Sequence, residues 1–311
     1  MQMIDAPTTR AALGFDRLVP ALRAMFVSGA EVPARHIHTI GAMTSLVMPA
    51  WQAGRYYGLK VVNVAPDNAA NGLSALHAAY VLFDAASGVP LALIDGDEIT
   101  SRRTAAASAL AASMLARRNA RHLLVMGAGR VARLLPEAYR AVLGIEEVTV
   151  WARDADKAKA LASELRARGI PARSSASLEA DARNADVVSC ATLATEPVVR
   201  GAWLAPGSHL DLIGSFSPEM READDDCFHG ASVFVDTEEA LQKSGDLLVP
   251  LMHGVLTHAQ VRGTLARLCR GDASGRRDDA ERTVFKSVGS ALEDLAAAIL
   301  VHESTVGTPA A

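Results

Sequence analysis

Leu123-Leu124-Val125-Met126-Gly127-Ala128-Gly129-Arg130-Val131-Ala132 is an apolar run that breaks into Gly-x-Gly-x-x-Ala and then into a helical pattern. Strand, glycine turn and helix in that order let backbone N–H groups hold a pyrophosphate. Gly127 permits the tight turn, Gly129 lets phosphates approach the backbone, and Ala132 allows close packing of helix on strand. Ala128, Arg130 and Val131 complete the turn. Small-residue turns also arise by chance, so the context matters: a second short strand, 147–151, ends some twenty residues further on. Its tip reads Ala152-Arg153-Asp154. A guanidinium at Arg153 can pair with a 2′-phosphate, which points to NADPH. Asp154 or Asp156, acting one step late, would instead suit NADH, and the plain alternative for Arg153 is a solvated loop charge.

From residue 121 onward, short apolar strands alternate with helical patterns: strands over 122–126, 147–151, 186–191, 208–214 and 231–236, helices over 130–143 and 155–168. That rhythm predicts a doubly wound parallel sheet, whose ligands meet the carboxyl ends of the strands. Thr192, just past one such end, is a candidate neighbour of ribose or nicotinamide, while Cys190 reads as a small buried hydrophobe. Residues 271–281 form a charged loop, followed by 283–286 and an Ala-rich helix over 289–301. About 120 residues precede the glycine turn and carry strands over 58–64 and 79–84, a turn at 87–90 and a helix over 104–118. A separate module in that region is expected to supply the substrate chemistry.

A chain of 311 residues suits two domains, and a net charge of −4 without a Lys/Arg block argues against nucleic acid or a membrane surface as partner. Cys190, Cys227 and Cys269 are scattered, form no Cys-x-x-Cys and fit a reduced cytoplasmic protein. The N-terminus lacks the long apolar core of a signal peptide. No apolar stretch approaches the ~18–20 residues of a membrane span. His36, His38 and His209 are too dispersed to suggest a metal site.

Several cations sit in or beside apolar segments of the upstream region. Arg35 follows Val32-Pro33-Ala34, Lys60 lies inside the strand 58–64, and Arg103 opens Arg-Thr-Ala-Ala-Ala. Surface snorkelling is the bland account of each, and it suits Lys60 least because both its neighbours are apolar. Around these residues the chain resembles the ornithine cyclodeaminase/μ-crystallin family along essentially its whole length. The resemblance runs through Pro33-x-Arg35, Met48-Pro49, Gly58-x-Lys60-Val61, Asn68, Gly72-Leu73, Asp84, Gly88-Val89-Pro90-Leu91-Ala92, Asp95-Gly96 and Thr100-x-x-Arg103-Thr104-Ala105-Ala106. It continues in His209-x-x-x-x-Gly214 and in Val284-Phe285-Lys286-Ser287-Val288-Gly289-x-Ala291-Leu292-Glu293-Asp294.

The resemblance implies a Rossmann domain (118–287) and an α+β substrate-binding and dimerisation domain built from 1–117 with 288–311, and hence a homodimer. It implies that Arg35, Lys60 and Arg103 line a pocket for a substrate carboxylate, which converging cations can fix by charge-assisted hydrogen bonds. The coenzyme set it suggests is Gly127, Ala128, Gly129, Arg130, Val131, Arg153, Thr192 and Ser287. Cyclodeaminases of the family carry an aspartate two residues after the glycine of His-x-x-x-x-Gly; Phe216 stands there in this chain, and Met220 replaces a lysine. A phenyl ring cannot act as a base, so the expected chemistry moves from deamination to reduction of a cyclic ketimine carboxylate by NADPH or NADH. Met48 and Phe216 are expected to pack the substrate ring, Lys60 and Arg103 to act at the reacting group, and His77 either to protonate or shield the imine or to serve structurally. Alternatives on the same scaffold are cyclodeamination, an alanine dehydrogenase-like or opine-type reaction, or non-catalytic NADPH binding.

Overall fold

A computed structural model describes residues 1–306, apart from the side chains of 69–71. The chain divides into two compact units, Met1–Thr104 with the segment from Ser290 onward, and Ala105–Gly289.

The first unit contains β1 (Gln2–Ile4), α1 (Ala6–Ala12), α2 (Phe15–Ser28), β2 (His36–Ile40), β3 (Met43–Gln52), β4 (Tyr56–Val64), β5 (Leu76–Asp84), β6 (Pro90–Asp95) and the start of α3 (Gly96–Leu115). Its sheet runs β1-β6-β5-β4-β3-β2, antiparallel except for the β1–β6 pair. The β5–β6 turn is tied by Asp84, whose Oδ1 accepts from Ala86 N at 3.0 Å and Ser87 N at 2.7 Å, an Asx turn of the kind the Ser-Gly-Val-Pro run suggests. Because strand side chains alternate, one row across this sheet is Met48, Lys60, Tyr80 and Ile94, all buried. The last helix, α10 (Ala291–Val306), packs against β3, β4 and β5 as well as α2. At Gly58 a Cβ would lie 1.8 Å from the Tyr80 hydroxyl and 3.0 Å from Leu295 Cδ1, so only glycine allows this approach. Residues on the other sheet face, among them Trp51, Tyr57, Leu59, Val61 and Phe83, are only half-buried.

The second unit holds β7 (His122–Met126), α4 (Leu135–Arg140), β8 (Glu147–Trp151), α5 (Ala155–Ala167), β9 (Ala172–Ser174), α6 (Leu178–Asn184), β10 (Val187–Cys190), β11 (His209–Leu212), β12 (Ser232–Val235), α7 (Ala240–Lys243), α8 (Gly245–Met252), β13 (Val261–Thr264), α9 (Leu265–Arg270) and β14 (Thr283–Lys286). Its strands are all parallel in the order β13-β12-β14-β11-β10-β7-β8-β9. The winding direction reverses between β7 and β10, which puts the ligand-binding crevice of such sheets beyond the carboxyl ends of those two strands. β14 enters late in sequence but lies inside the sheet, between β11 and β12.

The helix expected over 104–118 is α3, which begins eight residues earlier, at Gly96, and ends at Leu115; two further expectations also change. The helix expected over 130–143 shrinks to Leu135–Arg140, with turns before it. Pro136 accounts for this: it lacks an N–H and so sits in the first turn of a helix. The boundary expected at 117/118 falls at 104/105, because the second half of α3 is tied into the parallel-sheet unit. Ser108 Oγ donates to Asp211 at 3.1 Å, and the Leu115 carbonyl accepts from Thr283 Oγ1 at 2.9 Å. Asp211, fully buried within β11, also accepts from Tyr139 OH at 2.8 Å and Ser189 Oγ at 2.5 Å. Burial lifts its pKa to about 6 despite those hydroxyls. Among the described residues no helix is long and apolar enough to cross a membrane.

Candidate functional site

The crevice of the parallel sheet opens on the turn after β7. Gly127 has φ of +118°, and a Cβ there would lie 2.5 Å from the Ala191 carbonyl oxygen at the end of β10. Any side chain would therefore push the two strand ends apart. At Gly129 a Cβ would meet nothing within 4 Å, so the backbone is open on that side. A closed first glycine and an open second one fit a dinucleotide pyrophosphate. Ala128, Arg130 and Val131 lie in the same turn, and Arg133 N returns to the Gly129 carbonyl at 3.1 Å.

At the tip of β8, Arg153 is exposed. Asp154 is engaged as the N-cap of α5, its Oδ1 accepting from Asp156 N at 3.0 Å and Lys157 N at 3.3 Å, and Asp156 pairs with Lys159 at 3.0 Å. Both acids that could read a ribose hydroxyl thus have local structural work, and the guanidinium is left at the tip. Ser287, at the end of β14, is buried, and its Oγ has no hydrogen-bond partner among the described residues. Thr192 is half-buried just beyond β10. Cys190 is fully buried with its thiol pKa pushed up by burial, as suits a packing residue rather than a nucleophile.

In the first unit, Lys60 and Arg103 come together, and each has a buried carboxylate partner. Asp294 bridges them: Lys60 Nζ is 2.7 Å from its Oδ2 and Arg103 Nε is 2.9 Å from its Oδ1. Arg103 Nη1 reaches Glu293 Oε2 at 2.7 Å. All four side chains are buried. Burial pulls Lys60 down to about 8, against the opposing pull of Asp294. Burial would raise Asp294, but Lys60 and Arg103 together hold it below the usual range. The cations are therefore not a bare anion hole but half of a charge-balanced quartet. The acidic half comes from Glu293-Asp294 on α10, which sequence reading registers as a match without giving it a role. The signal was present: two adjacent acids inside an otherwise apolar helix.

Met48 pairs directly with Lys60 in the β3–β4 register, so the two lie along one row of the sheet. Arg35 is half-buried and immediately precedes β2, outside its paired residues. His77 does not join them: it projects from the opposite face of β5, 55% exposed, with Nδ1 3.9 Å from Asp97 Oδ2. Phe216 is an exposed residue of the loop after β11, within the second unit. His209 is buried against Thr283 at 2.9 Å, while His36 and His38 are exposed on β2. Sequence reading also missed a buried group of Glu222, Asp236, Asp246 and Lys286 near the carboxyl edge of the parallel sheet.

A parallel sheet with a glycine turn at its winding reversal, joined to an antiparallel unit carrying a buried ion quartet, defines a two-domain protein of the dinucleotide-binding class. The chain belongs to the ornithine cyclodeaminase/mu-crystallin family, whose model matches residues 23–308. It is 41% identical to a Δ1-pyrroline-2-carboxylate reductase of Paracoccus denitrificans over 98% of both chains. The Δ1-pyrroline-2-carboxylate reductase of Thermococcus litoralis, solved with NADH and L-proline, superposes with a TM-score of 0.93 at 31% identity, covering 98% of both chains. An archaeal alanine dehydrogenase dimer with bound NAD gives 0.92 at 31% identity, covering 98% of this chain and 96% of that one.

Replacing Lys60 by methionine removes one charge from a buried pair, and the unfolding free energy should fall by ~3–5 kcal/mol. Adding Asp294→Asn should return part of that loss, and urea denaturation of the set checks both. Lys60 binds fewer protons folded than unfolded between about 8 and 10.5. The wild type should therefore gain stability as pH rises through that window, and Lys60→Met should lack the gain.

Proposed function

We propose that this protein is an NAD(P)H-dependent reductase of a cyclic ketimine carboxylate, turning Δ1-pyrroline-2-carboxylate, Δ1-piperideine-2-carboxylate or both into proline and pipecolate. The observation that carries this reading is the charge-balanced quartet of Lys60, Arg103, Glu293 and Asp294. A protonated cyclic imine bearing a carboxylate is a zwitterion, and buried cations beside buried anions offer it partners of both signs. The cations hold the carboxylate by charge-assisted hydrogen bonds, and Arg35, just before β2, is assigned a third contact. The anions favour the protonated iminium nitrogen, the form that is electrophilic at carbon. Met48, beside Lys60 in the row, offers the ring carbons an apolar surface, and Phe216 is assigned the same role. Proton management falls to the Lys60–Asp294 pair rather than to His77, which occupies the other sheet face.

The turn from Gly127 to Val131, with Arg153, Thr192 and Ser287, would hold the coenzyme. When bound, its reduced nicotinamide supplies the hydride for the C=N bond. The rest of the chain's task is orientation, which can account for much of the acceleration of such a step. Phe216, at the position where the cyclodeaminase pattern has aspartate, supports reduction over deamination because it offers neither a base nor a charge for an ammonium group.

The half-buried apolar face of the antiparallel sheet has an aromatic row, with Tyr57 stacked on Phe83 at 5.3 Å and edge-on to Trp51 at 6.3 Å. Homodimerisation through this face is part of the proposal, and exposed apolar patches of this kind mark association sites.

Purified protein should oxidise NADPH with either cyclic imine and no added ammonia. Turnover that requires pyruvate and ammonium, or release of ammonia from ornithine, would overturn the reading. Lys60→Ala and Arg103→Ala should each lower kcat/KM by about a hundredfold or more, as expected when an oriented charge contact is lost; unchanged turnover would remove the pocket. Arg153→Ala should raise KM for NADPH by about tenfold and leave NADH nearly unchanged, since only the 2′-phosphate is read there; equal loss for both would remove the preference. Sedimentation should find a dimer that Leu59→Asp dissociates, and a monomeric wild type would defeat the assembly.

A further inference from the structure

Glu222 is fully buried, and its side chain spans the two strand ends next to each other in the crevice. Oε1 accepts from Thr192 N at 2.6 Å, beyond β10, and Oε2 accepts from Gly214 N at 2.6 Å, beyond β11. The Thr192 hydroxyl lies 2.7 Å from the same Oε1. The clamp is itself anchored. Glu222 N donates to Asp246 Oδ1 at 2.8 Å, and the Glu222 carbonyl accepts from Val198 N at 2.8 Å and Val199 N at 3.0 Å. Gly214 is required by this closeness, because a Cβ there would lie 1.9 Å from the Thr192 carbonyl and 2.6 Å from Glu222 Oε1.

The two backbone bonds can run only one way, but the Thr192–Glu222 bond has a direction to choose. An ionised carboxylate can only accept. The single Thr192 hydroxyl proton then points at Glu222, and Oγ1 faces outward as an acceptor, with one lone pair taken by Ala194 N at 3.3 Å. A protonated Glu222 can donate instead, and the threonine proton turns outward. We propose that Glu222 is a positioning residue that fixes the Thr192 hydroxyl as a hydrogen-bond acceptor for an N–H or O–H donor on the nicotinamide half of the coenzyme. This rests on the coenzyme reading given above and adds to it a residue that never touches the ligand.

The surroundings place the switch within reach of ordinary pH. Burial raises the Glu222 pKa; the charge of Lys286 on β14 opposes this, and that of Asp246 on α8 adds to it. Lys286 also donates to the Leu212 carbonyl at 3.1 Å and stands 3.7 Å from Asp246 Oδ2. The Cys190 thiol on β10 also senses Glu222 and stays neutral because burial pushes its pKa well up. Burial raises the pKa of Asp236, beyond β12, against the backbone N–H groups of Gly289, Val288 and Thr237 and the charge of Lys286.

The test is titration of protein with NADH from about pH 5.5 to about pH 8.5, followed by nicotinamide fluorescence. NADH is chosen because it lacks the 2′-phosphate, which itself titrates near ~6. Wild-type affinity should fall as pH drops through the Glu222 titration. Thr192→Val should lose about tenfold at the upper pH and show no such pH dependence, and Thr192→Ser should restore both. Glu222→Gln should match Thr192→Val, and the double variant should be no worse than either alone. A Thr192→Val protein that binds NADH as the wild type does, or that keeps the pH dependence, overturns the proposal whether or not Glu222→Gln folds. A wild type that binds neither NADH nor NADPH overturns the coenzyme reading itself, and this proposal with it.

Discussion

Asp294 sits on the last helix of the chain and uses one oxygen for Lys60 on β4 and the other for Arg103 on α3. Burying this carboxylate alone would be costly, and burying either cation alone equally so. Together with Glu293 they form a quartet in which no charge lacks an opposite neighbour. The arrangement fixes α10 on the antiparallel sheet more specifically than its alanine and leucine contacts could. Apolar packing tolerates a helix that slides or rotates by a residue, whereas such a shift would part three short ion pairs at once. The last helix is thereby tied to a sheet whose strands all precede the parallel unit in sequence.

The same constraint extends along one row of the sheet. Met48, Lys60 and Tyr80 share a row because antiparallel register sets them opposite one another. Gly58 admits both the Tyr80 hydroxyl and Leu295. Lys60 is not a lone cation in this row: its charge is already matched by Asp294.

Much of this was legible from residues, and the failures have physical reasons. The parallel unit announced itself through apolar runs at 122–126, 147–151 and 186–191, because strands buried on both faces need no alternation. The Gly127–Gly129 turn was readable because close backbone approach tolerates little else. The helix over 130–143 was overdrawn because apolar periodicity speaks through a turn as well as through a helix, and Pro136 outweighed it. The boundary at 104/105 was not visible, since α3 is continuous in both sequence and structure and only tertiary partners such as Asp211 divide it. His77 stays open between a catalytic and a structural role in the sequence, because its place on a sheet face depends on register with β4. Lys60, Arg103, Asp294 and Glu293 are distant in sequence, so their pairing appears only once the chain folds.

Buried acids in the parallel unit answer a different need. Loops at the carboxyl edge turn away from the sheet and leave backbone N–H groups without ladder partners, and such groups must be paired when they are buried. A carboxylate is a compact group that can accept from two such donors. Asp236 Oδ2 takes Val288 N at 2.7 Å and Gly289 N at 2.6 Å, and Asp246 Oδ1 takes Glu222 N at 2.8 Å and Ala223 N at 3.0 Å. Glu222 takes Thr192 N and Gly214 N. Three acids thus share one buried lysine, Lys286, and that imbalance is tolerable because backbone dipoles carry much of the compensation. Glu222, Asp236 and Asp246, which look like surface charge in the sequence, are in the fold the supports of the crevice rim. A rim held by ionisable groups rather than by neutral ones also gives the crevice a means of responding to protons.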